Sequence, residues 1–381
     1  MRILFVSHYA LPHVGGIEAV IDALGRELTA RGYDVAHVAS DALRPGEHLE
    51  PGGAERPYRM VRVSATNVLE SRLGVPVPIF GPGLLRVLRE EVARADVVHA
   101  HGFLYAGSAV AFALARRAPS RPARVLTEHV GHVAYERRSL DRVEAGAIAT
   151  LGRATARRAH AMTAYSERVV QELRALAPDV PIERIENGVD SERYRPPREG
   201  ERERLRAELG WDERPRVLFV GRDVAKKGLP LALATASAGG GAFRLAVVAP
   251  RQAVPGGAAH VDPLGALPRE RLAEVYRAAD AFLLPSHGEG FPLSVQEAMA
   301  SGLPAVLAHD PSYESILDGA GDGARLVEPE AEALAGAIAR LTGDPPARAG
   351  ASEAATRHAR TSFSWARATD AHERLYKRVS R

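Results

Sequence analysis

Two carboxylates, Glu289 and Glu297, stand eight positions apart in the stretch GEGFPLSVQEAMASG, residues 288–302. The first lies in a glycine-flanked loop, and the second lies where a helix has begun. Gly288 and Gly290 beside Glu289 suit close backbone approach to a ligand better than core packing. The N–H groups that open a helix form a site for an anion. Glu297 has a purely structural reading of equal weight: Ser294-Val-Gln-Glu297 fits a capping box, in which the glutamate reaches back to the Ser294 N–H.

Cations gather in VGRDVAKKG, residues 220–228, where Arg222, Lys226 and Lys227 follow a strand and precede a helix. A diphosphate needs two or more cations plus backbone donors, and Arg supplies a bidentate fork where Lys supplies a mobile point charge. A solvated basic loop has the same composition. The GxxxxGK[ST] spacing of a P-loop is missing. Gly15 and Gly16, in LPHVGGIE, offer bare amides to a phosphate or substrate between the first strand and the first helix; GxGxxG is absent. His99 and His101 end the strand of VVHAHG. Strand alternation is expected to send one to the core and the other to a cleft, and Gly102 favours a functional His101. Glu128-His129 ends another strand and either lines that cleft or caps it.

The elements that must carry these groups alternate. RILFVS reads as a strand, and Ile17, Val20, Ile21, Leu24 and Leu28 recur at helical spacing, with Gly32 placed to end the helix. YDVAHVA, DVVHAH, RVLTEH, AHAMTAYS and IERIENGVD are further strands. LYAGSAVAFALARR, Leu140–Arg158 and Glu167–Leu176 are helices. After a charged, proline-bearing segment near 187–215 the alternation restarts with RVLFVG, FRLAVVA, AFLLPS, PAVLA and ARLVE. Such strand–helix–strand units build parallel sheets, so the fold class is α/β with two doubly wound halves. Ligands in such sheets bind at the carboxyl ends of the strands, where all four candidate clusters fall. Residues 41–57 and 71–83 read as long loops, each either a functional segment or surface decoration. The final helix, within FSWARATDAHERLYKRV, has nothing after it to pair with.

The chain has 381 residues, enough for two domains, and is 46% hydrophobic and 25% charged. Its net charge of +3 is too balanced for wholesale nucleic-acid binding. No cysteine is present, which removes disulfides, thiolate catalysis and cysteine-held zinc. No stretch approaches a membrane span, and the opening residues read as a buried strand, so the expected location is the cytoplasm. Arg142, Arg153, Arg157 and Arg158 form either a solvated helix face or a weak contact with an anionic membrane surface or acidic partner.

Taken together, the ordered motifs resemble the retaining nucleotide-sugar glycosyltransferases of the two-Rossmann-domain (GT-B) type, family 4 or glycosyl transferases group 1. Gly15-Gly16, His99 to His101, the NGVD of Asn187 to Asp190, Gly221-Arg222 through Lys227-Gly228, and Glu289 with Glu297 stand in the family's order across nearly the whole chain. The resemblance implies two Rossmann-like domains facing a central cleft. These are an acceptor-binding domain over 1–190, a nucleotide-sugar domain over 191–362, and a C-terminal helix over 363–381 packing on the first domain. It implies that Arg222 and Lys227 grip the donor diphosphate, Glu297 binds the ribose and Glu289 faces the sugar hydroxyls. In the donor-binding stretch Gly290, Phe291, Pro292 and Leu293, the backbone N–H groups of Phe291, Leu293 and their neighbours would orient sugar and phosphate. His101 would line the anomeric centre, and Gly15-Gly16 would approach the phosphate.

No metal or cofactor is implied beyond a nucleotide-sugar donor, and the acceptor is a lipid, a glycan or a small metabolite. Two places depart from the family's pattern: VVAPRQ where a G-x-G often stands, and AHDPSYES where a Gly-rich turn with Pro-Glu often stands. Both bear on the choice of nucleotide or sugar. Beside the transferase reading stand a nucleotide-sugar epimerase on the same scaffold and a non-catalytic sugar-nucleotide binder. The oligomeric state is not legible.

Overall fold

The structure is a computed structural model that describes residues 1–13, 15–43, 56–129, 131, 138–221, 224–287 and 291–381. It divides into two units, Met1–Asn187 with Trp365–Arg381, and Gly188–Ser364.

In the first unit, strands β1 (Arg2–Val6), β2 (Asp34–Ser40), β3 (Arg59–Val63), β6 (Val97–His101), β7 (Ala123–Glu128), β8 (Ala161–Ala164) and β9 (Ile182–Arg184) form one parallel sheet in the order β3-β2-β1-β6-β7-β8-β9. A short antiparallel pair, β4 (Ala65–Thr66) and β5 (Ile79–Phe80), stands apart from it. The sheet is buried on both faces. Leu4, Val6, Val98, Ala100, Leu126 and Met162 face one core. Ile3, Phe5, Val97, Val125 and Ala161 face the other, with Ile21, Leu24 and Leu28 of the helix Gly16–Ala30 and Ala368, Leu375 and Tyr376 of the helix Trp365–Val379. Near-continuous apolar strands are what two covered faces require.

The second unit repeats the architecture. Strands β10 (Arg216–Val220), β11 (Arg244–Val248), β12 (Val261–Pro263), β13 (Ala281–Leu284), β14 (Ala305–Ala308) and β15 (Ala324–Val327) run parallel in the order β12-β11-β10-β13-β14-β15. In both sheets the strand order reverses once, between β1 and β6 and between β10 and β13. The helices on either side of such a point diverge and leave a crevice at the strands' carboxyl ends. At the first reversal Gly15-Gly16 follow β1 and His101 ends β6. Lys227 and Glu297 follow the two strands at the second.

Several expectations about elements change. The loop expected over 71–83 contains the end of a helix, Val68–Leu73, then β5 and the start of the helix Gly83–Arg94. A two-residue strand leaves no alternation to detect. The expected helix Leu140–Arg158 begins at Arg138, widens into a π-turn over Ile148–Gly152 and ends at Ala156. Gly152 there backs onto Phe103, whose ring lies 2.9 Å from where a Cβ would stand. Two strands, β3 and β12, and the 18-residue helix Pro345–Ser362 lie where no expectation was set. Most of the 41–57 loop lies outside the described residues. Among the described residues no helix is long and apolar enough to cross a membrane.

Candidate active site

At the second unit's reversal, β10 gives way to Gly221, whose N–H donates to the Val248 carbonyl at 3.1 Å. The chain then makes a 3-10 turn over Ala225–Lys227 and reaches Gly228 at φ +70°. A Cβ on Gly228 would lie 2.1 Å from the Pro285 carbonyl oxygen, so only glycine fits both the left-handed backbone and the contact. Beside this contact the His287 N–H donates to the Lys226 carbonyl at 2.9 Å. The loop that carries Lys227 is thereby fastened to the loop that leads from β13 toward Glu289. Arg222, Gly288, Glu289 and Gly290 lie outside the described residues.

Further along the chain, the helix Leu293–Ala300 starts with Pro292 as its N-cap and no side-chain cap. Phe291 is buried, with its ring centroid 5.4 Å from those of Tyr313 and Phe363. Its side chain anchors the helix start and leaves only its backbone for a ligand. Pro292 has no N–H to give. The first-turn amides of Leu293 and Ser294 are the ones a helix leaves without intrahelical partners.

The capping box does not form. Ser294 lies inside the first turn, two residues past the cap position that Pro292 holds, and Glu297 turns elsewhere. Its Oε2 accepts from the Tyr276 hydroxyl at 3.1 Å, and the Tyr194 hydroxyl is a second donor. Burial pushes the Glu297 carboxyl up to about 7, against the opposing pull of the two hydroxyls and of Arg269 and Arg193. Tyr194 and Tyr276 carried no signal in the sequence, because they meet Glu297 only through the fold.

At the first unit's reversal, His99 and His101 do not divide between two faces. Residues two apart on a strand share a face, and their ring centroids are 4.3 Å apart. His99 is structural: its Nδ1 lies 2.7 Å from the Tyr376 hydroxyl and its Nε2 lies 2.6 Å from Thr127 Oγ1. His101 Nδ1 lies 3.0 Å from His129 Nε2, and its buried Nε2 has no partner among the described residues. Burial lowers the pKa of both rings, His129 to about 3. Two neutral imidazoles therefore share one proton at their contact. Glu128 caps the neighbouring loop instead, accepting from the N–H groups of Phe103 at 3.1 Å, His129 at 3.0 Å and Gly131 at 3.3 Å.

Gly15 is the N-cap of the helix Gly16–Ala30 in extended backbone, and the space its Cβ would fill is taken by Glu18, with Oε2 2.2 Å away. Glu18 accepts from His13 Nδ1 at 3.0 Å, and His13 Nε2 lies 3.4 Å from Glu70 Oε2. Burial works against the charge of Glu18, but the His13 hydrogen bond and the His8 and His13 charges outweigh it and hold the carboxyl below its usual range. The helix start expected to offer bare amides thus already has its own carboxylate. Among the described residues no group of three or more His, Cys, Asp or Glu is placed to hold a metal ion.

Two parallel-sheet units of this kind, each with polar groups gathered at its strand-order reversal, define a GT-B glycosyltransferase architecture. Residues 14–193 match the family described as Glycosyltransferase Family 4, and residues 255–358 match Glycosyl transferases group 1. The chain is 26% identical to the D-inositol 3-phosphate glycosyltransferase of Corynebacterium jeikeium, over 100% of this chain and 97% of that one. It is 27% identical to the GDP-mannose-dependent alpha-(1-6)-phosphatidylinositol monomannoside mannosyltransferase of Mycolicibacterium smegmatis, over 93% and 92%.

Among solved structures, sucrose-phosphate synthase from Thermosynechococcus elongatus superposes with a TM-score of 0.81 at 21% identity, covering 99% of this chain and 98% of that one. HepE from Anabaena in complex with UDP superposes with a TM-score of 0.78 at 18% identity, covering 99% and 100%. These likenesses show the fold. The chain is a glycosyltransferase, with a Glycosyltransferase Family 4 region followed by a Glycosyl transferases group 1 region.

Proposed function

We propose that this glycosyltransferase moves a hexose-type sugar from a UDP- or GDP-linked donor to an acceptor hydroxyl, with retention at the anomeric carbon and without a metal ion. The junction of the Lys227 loop with the loop after β13, made by His287 on Lys226 and by Gly228 under Pro285, carries the reading. It fastens the lysine-bearing loop to the loop that runs on toward the helix start, and a departing diphosphate needs a cation and helix-start amides together. Negative charge grows on that phosphate as the bond to the sugar breaks. Lys227, Arg222 and the amides of Leu293 and Ser294 would meet it there.

One preorganised donor of this sort contributes about 3 kcal/mol, on the order of a hundredfold in rate. Glu297 would take the ribose and Glu289 the sugar hydroxyls. The acceptor hydroxyl would attack from the face the phosphate leaves, with the phosphate as its base. His101, with its open Nε2, would stand at the sugar from the first unit. The relatives' names extend the proposal to a polyol phosphate or a phosphoinositide-type lipid as acceptor. The proposed location is the cytoplasm, which cell fractionation tests.

The test is transfer from UDP- and GDP-sugars by the wild type and by Lys227→Ala and Glu289→Gln, with and without EDTA. Transfer should vanish in both variants while the melting temperature holds, and chelation should change nothing. Wild-type rates in both variants would end the proposal. A thermal-shift panel of UDP, GDP, ADP and dTDP then names the base; a ligand at 100 times its Kd adds about 2.7 kcal/mol of apparent stability.

A further inference from the structure

A carboxylate has about four acceptor positions. At Glu297 two are engaged by hydroxyls from separate parts of the second unit. Tyr276 comes from the helix Arg269–Ala278, and Tyr194 from the turn after Asp190, whose carbonyl accepts the Tyr194 N–H at 2.8 Å. The two rings meet edge to face at 5.6 Å and 85°, and Tyr276 packs on Phe282 at 6.0 Å, so both hydroxyls are held by rigid, buried rings. Neither tyrosine supports the other's hydroxyl; both point at one carboxylate.

The Tyr276 oxygen also lies 3.2 Å from the Ser294 carbonyl. A phenol has one proton, so it serves either acceptor. With Glu297 ionised, the proton turns to the carboxylate. With Glu297 protonated, the acid donates to the Tyr276 oxygen and the phenol turns to Ser294.

We propose that Tyr276 and Tyr194 are positioning residues, which fix the Glu297 carboxylate so that its two remaining acceptor positions fit one vicinal diol, the 2′- and 3′-hydroxyls of a donor ribose. The inference rests on the donor-site reading above. It makes the ribose preference a property of three side chains, of which two never touch the nucleotide. Removing a tyrosine hydroxyl lets the carboxylate rotate and takes away a donor that favours its ionised form. A protonated Glu297 has one oxygen turned donor and accepts the diol poorly, so nucleotide binding weakens as pH falls below about 7.

The experiment uses Tyr276→Phe and Tyr194→Phe, which keep the ring packing, with Glu297→Gln as reference. The titration of Glu297 is followed in the nucleotide-free protein by carbon NMR of labelled glutamate, assigned by its loss in Glu297→Gln. Kd is then measured by calorimetry for UDP, GDP and their 2′-deoxy forms at pH 8 and pH 6. The wild type should titrate near pH 7 and prefer the ribose form by on the order of tenfold, one lost hydrogen bond to a charged group. Each tyrosine variant should titrate at higher pH and lose most of that preference.

An unchanged midpoint in both variants overturns the proposal, as does a shifted midpoint with the ribose preference intact. Wild-type affinity and ribose preference in Glu297→Gln overturn the donor-site reading itself.

Discussion

Gly228 lies directly under the carbonyl of Pro285, at a backbone angle of φ +70° and with no room for one more carbon. The contact joins two loops that are distant in sequence and holds Lys227 beside the chain that leads to Glu289. Gly228→Ala should therefore separate them. The left-handed backbone alone costs an alanine about 1–2 kcal/mol, and the collision with a main-chain oxygen adds to it. Transfer should fall by more than tenfold and UDP or GDP binding should weaken in parallel, while circular dichroism stays that of the wild type. Wild-type Kd in this variant would show that the junction positions nothing.

Acid should unfold the first unit before the second. Burial lowers His37 and His129 to about 3 and His372 to about 4, and lowers His99 and His101 well below their usual value. A histidine whose folded pKa is depressed binds its proton more readily when unfolded. Its contribution to stability is complete above about 6.5 and is lost as pH falls toward the folded value. His37, His129 and His372 each cost about 2 kcal/mol between pH 6.5 and 5. The two tryptophans report the units separately, Trp365 in the first and Trp211 in the second. Guanidinium melts of Trp211→Phe and Trp365→Phe at pH 7.5 and 5 should show the larger loss at Trp365.

Tyr376→Phe should loosen the C-terminal helix. It leaves the buried His99 Nδ1, now 2.7 Å from the phenol, without a partner. An orphaned buried group of this kind costs about 1–3 kcal/mol. The Trp365 transition should move to lower denaturant, and the Trp211 transition should stay in place.

His101→Ala should cut transfer by on the order of a hundredfold and leave the Kd for UDP or GDP unchanged, because the residue belongs to the first unit and the groups proposed for the diphosphate belong to the second. Equal losses in kcat and in nucleotide affinity would contradict that division.

The sheets and the edges that carry the site were legible because buried parallel strands write themselves as short apolar runs, and glycines and charges after them mark their carboxyl ends. RILFV, VVHAH and RVLFV show this plainly. The two histidines were placed on opposite faces in error, since a spacing of two on a strand keeps side chains together. The role of Glu297 was half legible: its place after the Gly-flanked loop pointed to a ligand, but the capping-box pattern pointed to Ser294. Helix-start geometry removed the capping-box reading by beginning the helix at Leu293. Tyr194 and Tyr276 could not be read, because their meeting with Glu297 depends on three elements folding together.

Residues 365–381 complete the first unit. Ala368, Leu375 and Tyr376 cover the sheet face that Ile3, Phe5, Val97, Val125 and Ala161 present, and they leave the ribosome after the whole of the second unit. The second unit is thus an insertion within the first. During synthesis it has all of its own strands before the first can close its core, so of the two units the one that is begun earlier is completed later.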